Sequence, residues 1–536
     1  MRACLVTIFL MVVATCVRST AAEPGESSAD VTSFGAIGDG QHDDTAAIQA
    51  AINALTLQHG GTLLVPPGTY LLNSYSASPH PWYFYNLRVG SNIMIQASPG
   101  ATFLQGPGGR AVMPAGASEV RNTVLVFGSA NYVTNTFQDP TYNGGFYALQ
   151  ATKANDQSVV LAKSADAAAF KDGDYVAIYS AIGDDVIPSE STQVLSVSQT
   201  GVLGLKYKLA RGFSSPVIAK VTSLATVNAG VNNLIVQGTE PIATNELFGF
   251  TATGNTFISE TTIGLGNTYG LNMNNTQEIV FSSNTVTETG PPYVQELSQR
   301  NSQHVTLDSN TFHVAAAGTG EFGAHWIVTG NIFDLHPEFF AGGAGLSIGA
   351  LDVVFSNNVV TGTTAATMSL MTDYLGLDSN VHYMGQIRIL NNVVNCELKR
   401  SNCLRIVAAD TVVSNNRFDA TGIGQVVLVE SPLPQAVRIT NNVLSVRNGT
   451  GIVLNTISPD SSIVSCNTVT GSGAAGIYVS SRAIPSVGRH ILSSNVVTGF
   501  RNAIDLDPRK HPNTVVRESL SRRDAVEACI DQNSQQ

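Results

Sequence analysis

The chain has 536 residues with 28 Lys+Arg against 39 Asp+Glu, a formal net charge of −11. That balance argues against nucleic acid or an anionic membrane as a partner. The length suits two or three ordinary domains, or one extended solenoid that escapes the usual limit on a single core.

Residues 1–22 read as a signal peptide: Arg2 precedes an apolar run from Leu5 to Val13, and small residues from Ser19 to Ala22 follow. The run is too short to span a bilayer, and no later segment holds 18 consecutive apolar residues. Its removal takes Arg2 and Arg18 from the 28 basic residues, leaving 26 against the same 39 acids. The expected location is therefore extracellular or periplasmic. Four cysteines survive processing: Cys396, Cys403, Cys466 and Cys529. In an exported protein Cys396–Cys403 reads as a loop-closing disulfide, and the cysteine spacing matches no zinc pattern.

Next comes "VTSFGAIGDGQHDDTAAIQAAINAL", residues 31–55. Ala47, Ile48, Ala51, Ile52 and Leu55 fall on one helical face, and Asp43 or Asp44 is placed to N-cap that helix. A solenoid needs its open end covered, so residues 30–155 read as a cap and the first coils. "GGTLLVPPGTYLL" supplies two short strands around a Pro-Pro-Gly turn. Residues 156–222 alternate and turn at Gly, the pattern of a small antiparallel β insertion.

From 223 to 510 one pattern recurs, as in "EIVFSSNTV", "HVTLDSNTF", "DVVFSNNVV" and "AVRITNNVL". Its shared asparagines are Asn255, Asn284, Asn310, Asn331, Asn358, Asn392, Asn416, Asn442, Asn467 and Asn495, spaced 21 to 34 residues apart. Such a period marks a solenoid, and the local alternation marks strands. The fold class is all-β, a single-stranded parallel β-helix with an N-terminal capping helix and a small β insertion. Coils stacked about 4.8 Å apart put equivalent residues in rows. An asparagine at one turn then satisfies backbone groups along the stack, a structural role. Residues 511–536 read as a tail or closing segment.

The combined signature "FGAIGDGQHDDTAAIQAAINAL…GGTLLVPPGTYLL" and Asn repeat resembles the pectin-lyase-like, right-handed parallel β-helix superfamily. More narrowly it resembles the rhamnogalacturonase/epimerase-like pectate lyase group. The resemblance implies a substrate groove along the strands that precede each Asn-bearing one, such as those in "GLSIG" and "GAAGIYV", and the turn after them, with an uronic-acid-containing polysaccharide as substrate. It carries over no catalytic residue. In "GAGLSIGAL", Ala344 stands where polygalacturonases have the His of Gly-His-Gly, and Asp334-Leu335-His336-Pro337 only echoes the epimerases' Asp-Pro-His.

Titratable residues at one register in successive coils are the candidates for chemistry. Six residues before the ladder asparagine stand Glu278, His304, His325 and Asp352. The neighbouring Ile279, Val305, Trp326 and Val353 are expected inward, so the row faces out. Upstream lie Tyr293, Glu296, Arg300 and Glu321. The catalytic candidates are Glu296, Arg300, His304, Glu321, His325 and Asp352. Tyr293, Glu278, Asp373, Tyr374 and His382 are candidates for substrate binding, the last three on the connection 372–385. Asp334, His336 and Glu338 follow the Asn turn and could form an opposite wall. The alternative is a surface row of acids and histidines that only stabilises neighbouring coils.

β-Elimination on a uronate needs a positive group on the carboxylate, a base for H-5 and an acid for the leaving oxygen. Arg300, with His304 or His325, and Tyr293 fit those roles. Hydrolysis needs two carboxylates about 5 Å or 6.5–9.5 Å apart, which Glu296, Glu321 and Asp352 could supply. The readings are a pectate-lyase-like enzyme, a polygalacturonase- or rhamnogalacturonase-like hydrolase, or a non-catalytic glycan-binding β-helix. No cofactor or metal ligand is assigned, although a calcium ion is compatible with an acidic sugar.

Overall fold

The computed structural model describes residues 27–517 except 78–82, 107–120, 129–145, 183–184, 221–225, 239–244, 252, 260–261, 267–268, 275–276, 289–296, 301–302, 315–316, 320–322, 336–345, 349, 363–365, 371–384, 408–409, 432–435, 457–461, 481–489, 508 and 510–512. The expected signal peptide lies outside the described residues; of the expected tail, 511–536, residues 513–517 are described and include Val515–Arg517, a strand of the β-helix.

Each coil contributes strands to three walls. The first wall is one sheet of 15 strands, from Ser28–Asp30 to Val515–Arg517, paired in parallel throughout. Its period-2 alternation sets what goes inside: in Ala324–Thr329, Trp326 and Val328 are buried while His325 and Ile327 point out. Ile279, Val305 and Val353 occupy the register of Trp326 and are also buried, as their spacing predicts. The second wall follows the Asn turn, as in Ile332–Leu335 and Val359–Gly362, and the third carries strands such as Leu346–Ile348 and Ala475–Val479. Strands Val393–Ile406 and Arg417–Ser431 run round the corner between the second and third walls. Between the walls, Phe281, Phe312, Phe333 and Phe355 stack at centroid separations of 6.3, 4.9 and 5.8 Å. Their burial removes large apolar area from water in four successive coils, within a core that is continuous along the axis. The chain is a right-handed parallel β-helix, the hand that parallel crossovers take.

The turn from first to second wall explains the asparagines. The residue before each is left-handed, as at Ser309 (φ 57°), Asn357 (φ 56°) and Asn391 (φ 57°), which bends the chain and strips backbone groups of strand partners. The asparagine amide restores them. Asn331 donates from its backbone N–H (2.9 Å) and Nδ2 (3.0 Å) to Asn358 Oδ1, and Nδ2 also reaches Leu307 O at 2.9 Å. The same amide relay links nine asparagines from Asn284 to Asn495.

Asn255 does not belong to that row. Pairing of Gly254 with Gln277 and Thr256 with Ile279 sets Asn255 opposite Glu278, six residues from the ladder position. A slip by an even number of residues keeps the in-out alternation, so the sequence pattern could not reveal it.

The helix Thr45–Leu57 buries Ile48, Ala51, Ile52 and Leu55 against the first strands, with Ala47 partly buried. Asp44 precedes it but makes no side-chain cap, contrary to the sequence expectation. Its φ of −87° and ψ of 0° are already helical, and its carboxylate turns back to accept from Ile37 N at 2.7 Å and Gly38 N at 3.1 Å. Asp43 accepts from Thr45 N and from Asn73 N on the next strand's exit, at 3.1 and 3.0 Å. The aspartates therefore tie the helix start to the loop before it and to the first coil.

A separate antiparallel sheet spans Phe146–Ala148 to Pro216–Lys220 and surrounds its own core, including Val176, Ile178, Val194, Leu203 and Ile218. Cys396 and Cys403 form a disulfide with Cα atoms 5.8 Å apart, across the bend in Val393–Ile406.

Candidate functional site

The row six residues before the ladder has a backbone cause. Asn92, Asn228, Glu278, His304, His325, Asp352, Gln386 and Asp410 all have φ between 49° and 60°. From Asn228 to Gln386 the strand pairing skips this residue, as between Gln277–Gln303 and Ile279–Val305, so the row is a stack of aligned bulges at the entrance to the first wall. Left-handed conformation is tolerated best by Asn, Asp and His among non-glycine residues. Part of the acid-and-histidine composition of this row thus answers a conformational demand.

Side-chain contacts go further than conformation requires. The His304 and His325 rings stack with centroids 4.6 Å apart, and Tyr207 of the antiparallel insertion covers the other face of His304 at 3.5 Å. Burial, with the electrostatic influence of neighbouring His325 and Lys206, pushes His304 down to about 3, so it is neutral near pH 7. Glu278 is held by the Tyr207 hydroxyl and by Lys206. Burial and that carboxylate push the Tyr207 hydroxyl above its ordinary value.

Asp352 forms the other end. Its Oδ2 lies 2.8 Å from His325 Nδ1 and its Oδ1 accepts from Arg388 at 2.8 Å. The hydrogen bond from His325, outweighing burial, together with the Arg388 charge holds the Asp352 carboxyl below its ordinary value. An ionised Asp352 fixes the His325 proton on Nδ1 and leaves Nε2 as an acceptor. That Nε2 is buried and has no hydrogen-bond partner among the described residues.

The insertion docks beside it. Arg211 donates to Gly323 O at 3.2 Å and is paired with the buried Glu190, while Gln277 donates to Thr192 O at 3.2 Å. The sequence reading missed Lys206, Tyr207, Arg211 and Glu190 because they lie 67 to 88 positions before Glu278, in an insertion that shares no repeat with the row. "LKYKLAR" offered aromatic and basic residues but no register to align them.

Of the sequence candidates, the structure brings together Glu278, His304, His325 and Asp352. Arg300 ends the strand Leu297–Arg300 of the third wall, opposite Asn274, and its side chain lies outside the described residues. Tyr293, Glu296, Glu321, Asp373, Tyr374 and His382 lie outside them too, as do His336, Glu338 and Ala344. Asp334 stands on the second wall, where it pairs with His313 Nδ1 at 3.1 Å and accepts from Thr361 Oγ1 at 2.9 Å. A whole first-wall strand and the Asn turn separate it from His325, so it does not join the row. Among the described residues no group of three or more His, Cys, Asp or Glu is arranged to hold a metal ion.

Residues 28–81 match the family model "Rhamnogalacturonase A/epimerase, pectate lyase-like". Over 41 residues the chain is 58% identical to mannuronan C5-epimerase AlgE3 of Azotobacter vinelandii, a match covering 8% of this chain and 2% of that protein. Among solved structures, the Gp54 tailspike of Acinetobacter baumannii bacteriophage AP22, in complex with A. baumannii capsular saccharide, superimposes with a TM-score of 0.57 at 13% identity. That match covers 91% of this chain and 79% of the tailspike. The tailspike protein gp49 of Pseudomonas phage LKA1 gives 0.52 at 12% identity, covering 91% and 84%. The fold is that of the pectin-lyase-like β-helix proteins.

Proposed function

We propose that this protein is exported and acts on an uronic-acid-containing polysaccharide, cleaving it by β-elimination at the bulge row. The carrying observation is the Arg388–Asp352–His325 line, which leaves an unpartnered imidazole Nε2 beside neutral His304. The match of residues 28–81 to a family described as pectate lyase-like and the saccharide-bound tailspike neighbour support the substrate class. In this reading Nε2 of His325 takes the proton from C5 of the sugar. Arg388, half-exposed, offers its guanidinium to the carboxylate whose charge grows as that proton leaves. The electron pair forms the C4–C5 double bond as the C4–O bond breaks, and the departing oxygen takes a proton from water. Because Nε2 is buried and Tyr207 stacks on the neighbouring His304, substrate access in this reading requires movement of the Lys206–Tyr207 segment.

A second reading has its own observation. Glu278 and His304 are already engaged by Lys206 and Tyr207, as residues that dock the insertion on a non-catalytic glycan-binding β-helix would be. Incubation of the purified protein with polygalacturonate, alginate and rhamnogalacturonan separates the two. New ultraviolet absorbance from an unsaturated product supports elimination. Reducing ends without that absorbance would replace it with hydrolysis, and binding without any product would establish the second reading.

A further inference from the structure

The second wall carries a groove of about 570 Å³ between coils 361–362, 395–397, 417–421 and 445–447. It is on a different wall from the His325 row. Thr361, Asn395, Asp419 and Ser445 occupy one outward register in four successive coils. Two residues along, Glu397 aligns with Thr421 and Arg447. Both rows therefore repeat hydrogen-bonding groups at the coil rise of about 4.8 Å. A pyranose in an extended glycan is close to that length, so a saccharide laid along the axis would meet one polar set per coil.

The groove's charges are not all spent on each other. Arg417 Nε pairs with Asp419 at 2.8 Å, but Arg447 is exposed and has no hydrogen bond or ion pair with any described residue. A guanidinium in that state is a fork for a carboxylate. The floor is stiff: Cys396 lines the groove and is bonded to Cys403 across the strand bend. Gly422, with φ 104°, turns the adjacent coil where any Cβ would strike Leu398 O.

We propose that this groove is a non-catalytic subsite for an acidic saccharide, whose hydroxyls meet the Thr361-to-Ser445 row and whose carboxylate meets Arg447. The proposal rests on the reading of the protein as one that handles acidic glycans. Its purpose would be retention of a polymer while the bulge row works on another stretch, since two linked contacts raise local concentration without new chemistry.

The test uses the full chain with His325→Ala, so that bound glycan is not consumed, on surfaces bearing polygalacturonate, polymannuronate or neutral dextran. The expected result is binding to at least one acidic polymer and not to dextran, with affinity at least tenfold lower when Arg447→Ala is added. Binding unchanged by Arg447→Ala, equal binding to dextran, or no binding to either acidic polymer would each overturn the proposal. Separate turnover assays on the unaltered protein keep the two readings apart. Turnover with binding indifferent to Arg447 defeats the subsite alone, and Arg447-dependent binding without turnover defeats the enzymatic reading alone.

Discussion

The imidazoles of His304 and His325, one coil apart, lie 14° from parallel with centroids 4.6 Å apart. Burial, with the electrostatic influence of neighbouring His325 and Lys206, lowers His304 to about 3, whereas a histidine in the unfolded chain titrates at ~6.5. Between those values the unfolded chain binds a proton that the folded chain refuses. Stability must then fall as pH drops through the window, by at most about 1.4 kcal/mol per pH unit. Asp352 acts in the same direction lower down. Its depressed carboxyl stabilises the fold above the ordinary carboxylate range and loses that contribution as pH falls through the folded value. His304→Asn removes the titrating group and keeps a residue suited to the left-handed backbone, as Asn228 already is at this register. Thermal midpoints measured from pH 7 to 4 should decline less steeply in the variant. An unaltered slope would mean that His304 does not resist protonation in the fold.

His325→Ala should lower turnover at least tenfold on whichever acidic polymer proves to be the substrate, about 1.4 kcal/mol on the barrier. Asp352→Asn should also lower kcat, because a neutral amide no longer fixes the proton on Nδ1 of His325. Its pH–rate profile should shift, which a loss of packing alone would not cause. Full activity in His325→Ala, with the protein shown to be folded, would remove the row from the chemistry.

The repeat and its alternation were legible because coil geometry forces them on the sequence. A left-handed turn before Asn331 or Asn358 leaves backbone donors that a side-chain amide must meet, so the amide recurs. The bulge row was visible for a mixed reason. Residues such as His304 and Asp352 attract the eye as acid–base groups, yet their φ values of 54° also favour those residue types. Asn255 was misplaced because its local string imitates the ladder and an even slip preserves alternation. Tyr207 stacking on His304 was invisible, since that contact joins a repeat to a segment without one. The Asp43-Asp44 pair read as a cap because composition marks a helix start without saying where each carboxylate turns.

Within the ladder, Asn358→Ala should be far costlier than an exposed substitution. Asn358 Oδ1 accepts the buried Asn331 backbone N–H at 2.9 Å, and its Nδ2 reaches Val328 O at 3.0 Å and Asn392 Oδ1 at 3.1 Å. Truncation leaves a backbone donor and a carbonyl without partners where water is excluded, about 1–3 kcal/mol for each unsatisfied group. Chemical denaturation should show a lower midpoint with little change in slope. A midpoint within error of the unaltered protein would mean that the coils do not depend on the amide relay.

Asp44 provides a control at the other end of the molecule. The carboxylate is 2% exposed and accepts from Ile37 N and Gly38 N, so Asp44→Ala strands two backbone donors in the turn that precedes the helix. The expected loss is about 2 kcal/mol or more, larger than the ~1 kcal/mol typical of a lost helix cap, because more than one donor is orphaned. Asp44→Asn keeps one acceptor oxygen and should recover part of it. Glycine at position 38 cannot be exchanged to relieve the turn, since its φ is 69° and a Cβ there would meet the Tyr70 ring at 2.9 Å. Hydrogen exchange should locate the damage at residues 36–45 and in the first turn of Thr45–Leu57. Turnover by the protein that remains folded should be unchanged, because the bulge row draws nothing from this segment. Lost activity in a fully folded Asp44→Ala protein would place the chemistry at the N-terminal end instead of at His325.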